Sequence, residues 1–421
     1  MMENDKPLNI MIVGGNYIGK GAEAMMLVVR DQISRRYPNA NFWLIPNSAD
    51  EAEKLKQDGF KLIYQKKGRR FIKLLQLLCG FLGIQQKTGL SAVESGQSLI
   101  NPFMATDAVV DISGFVSSDQ IGGRAAKGRW LNYMWAAYAG NKIFFMPQSW
   151  GPFENKTVRR FTKWLLKKAS FICAREKISF RYLIDSGCAK ANYVLHSYDI
   201  AFLFDVHGSE KRACDLLSLI GLKDSNLPFI TITPNMRIYE RVQGKDGNNK
   251  YIALILEIIR YFLDHTDHNV ILIPHEASLN RPNDPELCML LKELARNPDR
   301  VAMLTGKESA LEVKSVIGQS DFLVASRYHS LVAALSMRTP VAVIGWSHKY
   351  DELMQVVGLS DYIVDPVRSR EKKDPLKVVI KAYQCRQEIA YQLKLKMPSI
   401  ENNVRAIFEK VEQIIENNKL L

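Results

Sequence analysis

The chain has 421 residues, 47% of them hydrophobic and 24% charged, and its 57 lysines and arginines against 44 acids give a formal charge of +13. These figures exclude a disordered chain, a collagen-like repeat and a disulfide-stapled miniprotein, and the length suits two domains. The positive excess points to an anionic partner without choosing among nucleic acid, a membrane surface and a phosphorylated small molecule.

Short apolar runs predict strands at Leu8–Val13, Asn41–Pro46, Ala108–Ser113, Lys142–Pro147 and Phe171–Ala174. Between them, helical spacing covers Ala22–Arg36, Arg124–Ala139, Lys156–Lys168 and Lys177–Asp185. The stretch from Lys66 to Gly89 breaks this rhythm, because four basic residues precede a run of Phe, Ile and Leu. It is too short and too charged to span a bilayer, and reads either as an interfacial helix against anionic headgroups or as a core helix behind a basic turn. A polar interval at Asp205–Asn226 marks the domain boundary. Beyond it, strands are expected at Phe229–Thr233, Asn269–Pro274, Val301–Leu304, Asp321–Ala325 and Val341–Ile344. Helical patterns there cover Ile252–Leu263, Pro285–Ala295, Ala310–Ile317, Leu331–Ser336 and Asp351–Val357, and a helical tail broken near Pro398 closes the chain.

Strands alternating with helices predict parallel sheets covered on both faces. The expected fold is therefore α/β, with two Rossmann-like doubly wound domains at 1–205 and 206–375 and C-terminal helices at 376–421. The six cysteines are scattered without a CxxC pair, which favours a reducing compartment and argues against structural zinc. The first apolar run is too short for a signal peptide and no run reaches the ~20 residues of a spanning helix, so a cytoplasmic protein is expected. No nucleic-acid module is recognisable and no stripe interleaves basic with aromatic residues, so nucleic acid is not an expected partner.

Chemistry is expected where strands end. The turn from Gly14 through Asn16 to Gly21 nearly fits a phosphate-cradling GxxxxGK[ST] loop, but Gly21 stands where the magnesium-binding hydroxyl belongs. Ser326-Arg327-Tyr328-His329-Ser330 follows one strand and opens a helix, where free backbone N–H groups favour an anion. There Arg327 can grip a carboxylate or phosphate, and His329 can move a proton near neutral pH. An arginine paired with an acid and a histidine in a helix cap is the plainer alternative. Gln148 and Ser149 close another strand, Arg175 follows a third, and His275 ends one in the second half.

Taken in order, GNYIGKGAEA (16–24 with its preceding glycine), DAVVDISG, MPQSWGPF, CAREKIS, DIAF, IPHEA and SRYHSLVAALSMRTPVAVIGWSHKY resemble the polysaccharide pyruvyl transferase family over roughly Ile10 to Val364. The chain departs from that pattern at Ile112-Ser113-Gly114-Phe115, where a triple glycine is usual, and at Lys20-Gly21, where an acidic residue is common. The resemblance implies a glycosyltransferase-B-like architecture with its active cleft between two domains. It also implies transfer of the pyruvyl unit of phosphoenolpyruvate onto a sugar as a ketal, releasing phosphate. The N-terminal domain would take the acceptor and the C-terminal domain phosphoenolpyruvate, with no cofactor and no metal. The family's Arg-x-His element matches Arg327 and His329, which would bind phosphoenolpyruvate, and Arg175 is carried over as a second anion clamp. His329 is the expected acid–base catalyst, and Ser330, Gln148, Ser149, Asn16 and His275 are expected to bind substrate from their places at strand ends and turns. The implied partners are phosphoenolpyruvate and a glycan or lipid-linked sugar, with a membrane surface at the inner face suggested by 66–89. A nucleotide-sugar glycosyltransferase and a non-catalytic glycan-binding protein remain the alternatives.

Overall fold

The computed structural model describes residues 7–64, 101–221, 227–242, 244, 248–278, 282–367 and 374–417. The basic apolar stretch 66–89 lies outside these residues. The chain divides into two compact units, Met1–Asn16 with Met25–Ile200 and Val404–Leu421, and Tyr17–Ala24 with Ala201–Asn403.

The first unit is built on a seven-stranded parallel sheet of β1 (Asn9–Val13), β2 (Asn41–Leu44), β3 (Lys61–Leu62), β4 (Ala108–Asp111), β5 (Lys142–Gln148), β6 (Phe171–Ala174) and β7 (Leu195–His196). Their order across the sheet is β3-β2-β1-β4-β5-β6-β7, so the connection reverses between β1 and β4. The central strands are buried along their whole length, which is why they read as unbroken apolar runs. Its helices are α1 (Lys20–Arg36), whose first turn belongs to the second unit, α2 (Ala49–Gln57), α3 (Gly123–Tyr138), α4 (Lys156–Leu166) and α5 (Lys177–Asp185). An aromatic chain fills the core: Phe103 and Tyr133 lie 5.3 Å apart, Tyr133 and Phe145 5.3 Å, and Phe145 and Trp150 5.6 Å.

The second unit repeats the plan with β8 (Phe229–Thr233), β9 (Asn269–Leu272), β10 (Val301–Met303), β11 (Phe322–Ala325), β12 (Val341–Ile344) and β13 (Ile363–Val364), all parallel in the order β10-β9-β8-β11-β12-β13. Here the reversal lies between β8 and β11, the place where doubly wound sheets open a crevice. The helices are α6 (Glu210–Leu219), the short α7 (Met236–Tyr239), α8 (Lys250–His265), α9 (Asp284–Leu294), α10 (Ala310–Gln319), α11 (Tyr328–Met337), α12 (His348–Val356) and α13 (Pro375–Gln384). The polar interval expected to separate the domains forms α6, whose Ser209 flank is buried against Ser315.

The last helix, α14 (Arg386–Glu416), runs unbroken through Pro398, which corrects the expected interruption. A proline inside a helix costs ~3 kcal/mol or more. Ile389, Leu393, Met397, Ile400, Val404, Phe408, Val411 and Ile415 are all buried along one stripe and outweigh it. The helix belongs to the second unit up to Asn403 and to the first from Val404, so the tail forms no separate body. Leu393→Ala is expected to lower stability by about 2–5 kcal/mol in urea unfolding, because its side chain is fully buried. Tyr391→Ala, at a position 66% exposed on the same helix, is expected to leave the midpoint nearly unchanged.

Candidate functional site

In the second unit the reversal between β8 and β11 is tied by side chains. Thr233, the last residue of β8, bonds through Oγ1 to Ser330 Oγ at 2.7 Å, and Ser330 donates back to Arg327 O at 2.8 Å. Asn235 Nδ2 and the Tyr350 hydroxyl both donate to Ser326 O, at 2.8 and 3.0 Å. Ser330 is thus a fully buried element of the turn that sets where α11 starts.

Arg327 caps α11 and faces two acids. Its guanidinium donates to Glu276 Oε2 at 2.5 Å and to Asp284 Oδ1. Asp284 is itself fully buried and accepts backbone N–H groups from Met236, His275 and Glu276 at 3.1, 3.2 and 2.9 Å. Burial opposes the arginine's charge, but the two carboxylates outweigh it and hold the guanidinium firmly protonated. The structure therefore spends Arg327 on an ion-pair cluster, so a substrate anion would have to share it with Glu276 and Asp284.

Beside this cluster lies a small pocket within the second unit, lined among others by Lys20, Gly21, His275, Lys314 and His329. Its free space suits about one water molecule. Three helices contribute their opening turns: α1 through Lys20 and Gly21, α10 through Ala310 and Val313, and α11 through His329. Helix N-termini carry partial positive charge, so the walls favour an anion. Two buried lysines add to this. Lys20 donates through Nζ to Gly306 O at 3.2 Å and to Glu308 O, while Lys314 donates to Phe204 O. Burial lowers the Lys314 ammonium to about 8. Burial also pushes His275 well below the usual histidine range, reinforced by the charges of His329, Arg327 and Lys20. His275 is accordingly a neutral imidazole at physiological pH.

The near-match to a phosphate loop resolves differently. Lys20 N donates to His275 O at 3.2 Å, Ala277 N donates to Ile18 O at 3.0 Å, and Gly19 bridges Glu276. These contacts pin 17–24 to the β9 side of the second unit, and the lysine of the would-be loop reaches backbone carbonyls. A Cβ on Gly21 would stand 2.1 Å from the His329 ring, so glycine is needed here for packing. The missing hydroxyl at this position reflects that contact.

In the first unit, Arg175 is 2% exposed and closed in by acids. It donates to Glu176 Oε1 at 2.9 Å, Asp199 Oδ2 at 2.6 Å and Ser149 Oγ at 2.9 Å, and Ser149 donates to Glu176 at 2.6 Å. Burial alone would raise Glu176, but Arg175 and the Ser149 and Ser179 hydroxyls hold it below the usual carboxylate range. Arg175 and Ser149 thus lie in packed interior as parts of a satisfied network, where a substrate could reach them only by opening it. Gln148 is fully buried at the end of β5, and its amide has no hydrogen-bond partner among the described residues. Asn16 donates to Gly14 O at 3.2 Å across a turn in which Gly14 has φ +95° and abuts Ser113. The structure brings His275, Arg327, His329 and Ser330 together in one unit, and Gln148, Ser149 and Arg175 in the other.

A profile of the family described as Polysaccharide pyruvyl transferase matches residues 20–348, most of the chain. The chain belongs to the polysaccharide pyruvyl transferase family. Among curated relatives, the amylovoran biosynthesis protein AmsJ of Erwinia amylovora is 17% identical over 374 residues, covering 85% of this chain and 88% of AmsJ. Among solved structures, Anabaena Alr3699/HepE in complex with UDP superposes with a TM-score of 0.57 at 14% identity, covering 98% of this chain and all of that one. UDP-GlcNAc 2-epimerase from Neisseria meningitidis gives 0.58 at 10% identity, over 96% and 100%. A glycosyltransferase from Rickettsia africae gives 0.57 at 12%, over 98% of each chain. At these identities the structures establish the fold alone: two parallel-sheet α/β units of the glycosyltransferase-B-like class with a C-terminal helix. As a family member the protein is a polysaccharide-modifying transferase. Among the described residues no helix is long and apolar enough to cross a membrane.

Sequence reasoning passed over three residues of this pyruvyl transferase family member. Lys314 looks solvated in ALEVKSVIGQ, yet Val313 to Ile317 are all buried, so the helix is enclosed on more than one side. Lys20 enters the sequence reading only as the lysine of the near phosphate loop and as a departure from the family pattern, and Asp284, just before the expected helix Pro285–Ala295, is not singled out there. The Gly21 contact yields a direct check. Gly21→Ala is expected to displace the His329 ring, shifting its imidazole resonances in NMR spectra while those of the exposed His207 stay in place.

Proposed function

We propose that this family member moves the pyruvyl group of phosphoenolpyruvate onto a sugar of a cell-surface or exopolysaccharide precursor as a cyclic ketal, releasing phosphate. The observation that carries the reading is the second unit's pocket, where His329 stands with buried Lys20 and Lys314 and three helix openings. A dianionic donor needs positive surroundings at both its carboxylate and its phosphate, and desolvated cations bind such groups far more strongly than exposed ones. The pocket is small, so a donor would settle one anionic oxygen in it and extend across its mouth.

In this mechanism His329 protonates the methylene carbon of phosphoenolpyruvate, leaving an oxocarbenium-like centre. One sugar hydroxyl adds to that electrophilic centre, the carbon bearing the carboxylate and the phosphate ester, and gives its proton to the now neutral His329 imidazole. A neighbouring hydroxyl then displaces phosphate, closing the ketal. Neutral His275 offers a hydrogen bond without adding charge, and the lysines offset the charge of the departing phosphate. Arg327, locked to Glu276 and Asp284, orients the start of α11 and hence His329.

A second reading, a nucleotide-sugar transferase, draws on the UDP named with the Anabaena structure. Incubation with phosphoenolpyruvate and candidate glycan acceptors is expected to release phosphate, and His329→Ala to reduce release by at least about 10²-fold, the usual scale of a lost acid–base group. Full turnover by that variant would remove His329 from the chemistry. Calorimetric binding of UDP-sugars in the absence of any response to phosphoenolpyruvate would favour the second reading.

A further inference from the structure

We propose that the paired outer faces of α3 and α4 in the first unit form a docking surface for an anionic phospholipid bilayer. The two helices lie side by side. Trp130 of α3 meets Phe161 and Trp164 of α4 at 5.4 and 5.6 Å, and Phe161 and Trp164 meet edge-on at 5.5 Å. This aromatic seam reaches the surface, because Trp164 is 41% exposed. Leu131, also 41% exposed, and Tyr138 extend the apolar line along α3.

On the two helices themselves the charge is of one sign, with Glu154 just ahead of α4 as an exposed acid at its edge. Arg124 and Lys127 are exposed on α3, and Lys156, Arg160, Lys163, Lys167 and Lys168 are exposed on α4 and its C-terminal end. Neither helix contains an aspartate or a glutamate. On α4 the exposed positions recur every three or four residues, placing Lys156, Arg160, Lys163, Trp164 and Lys167 on one helical face. The opposite face, with Val158, Phe161, Leu165 and Leu166, is packed into the core. The Arg160 guanidinium lies 5.3 and 5.4 Å from the Phe161 and Trp164 ring centroids, which places a cation beside the exposed indole.

Charge complementarity selects the occupant. Duplex nucleic acid would satisfy the cations but keeps its bases stacked away from the half-exposed tryptophan, and a single strand, which could stack on one indole, offers nothing to the exposed Leu131. A headgroup layer satisfies both: lysine and arginine reach anionic phosphates, while Trp, Tyr and Leu side chains enter the boundary below them. The helices lie flat on such a surface, so no spanning segment is required. This surface is separate from the pocket residues of the second unit, so its test does not depend on the reaction.

The test uses the full-length protein and vesicles of phosphatidylglycerol and phosphatidylcholine, with pure phosphatidylcholine vesicles beside them. Co-sedimentation is expected with the anionic vesicles alone, and to weaken as salt rises. The Trp fluorescence should shift to the blue on binding. Lys163→Glu with Lys167→Glu is expected to lower the vesicle partition coefficient at least about tenfold. Trp164→Ser should abolish most of the blue shift while leaving the salt dependence. Lys394→Glu with Lys396→Glu changes net charge equally at exposed positions of α14 and is expected to bind as the unaltered protein does. Equal loss in both charge pairs would show that net charge, not this face, drives binding, and would overturn the proposal. Unaltered binding by the α4 variant would overturn it too, assigning attachment to another basic stretch. So would failure to bind anionic vesicles, or a Trp164-dependent dimer in sedimentation velocity with no vesicle binding.

Discussion

The structure around the candidate site depends on keeping two lysine ammonium groups out of water. Lys20 and Lys314 are 4% and 5% exposed, and each points at backbone carbonyls. Desolvating an ammonium costs several kcal/mol in real proteins. The lowering of Lys314 to about 8 expresses that cost directly. A chain concerned only with stability would fill these positions with apolar side chains. An anion that binds here recovers part of the penalty, which is why buried cations cluster at functional sites.

The neighbouring packing follows from that arrangement. Residues 17–24 are strapped to the second unit so that Lys20 can reach Gly306 and Glu308, and the strap brings Gly21 against the His329 ring. Asp284 fixes the other side by gathering three backbone N–H groups and Arg327, which sets the start of α11. A buried carboxylate with this many donors is rigid, and a rigid support holds the His329 imidazole, the proposed acid, in one orientation. The first unit's Arg175 network follows the same rule with all its charges paired, so it supports the fold around β5 and β6.

Much of this was legible in the sequence. Phe171–Ala174, Phe229–Thr233 and Val341–Ile344 occur as expected because strands buried on both faces write themselves as apolar runs. The two-residue strands β3, β7 and β13 carry too few residues for a period, and α2 buries only Ala52 and Leu55. His275 and His329 stand out in the sequence because both follow strand ends, and the structure places both on the small pocket of the second unit. Arg327 and Arg175 were found as arginines, but not as partners of Asp284 and Asp199, which lie 43 and 24 residues away in sequence. Pairing across such distances is decided by the fold, and no local spacing records it. Pro398 misled for the opposite reason: a local rule was outvoted by a long buried stripe.

The central claim is that buried positive charge in this pocket binds the donor. Calorimetric titration of phosphoenolpyruvate between pH 7 and 9.5, on the unaltered protein and on Lys314→Met, tests it most directly. Lys314 is charged below about 8 and neutral above, so affinity in the unaltered protein should fall as pH rises through that value. The variant should bind more weakly and lose that step. Equal affinities and parallel pH profiles for the two proteins would contradict the account.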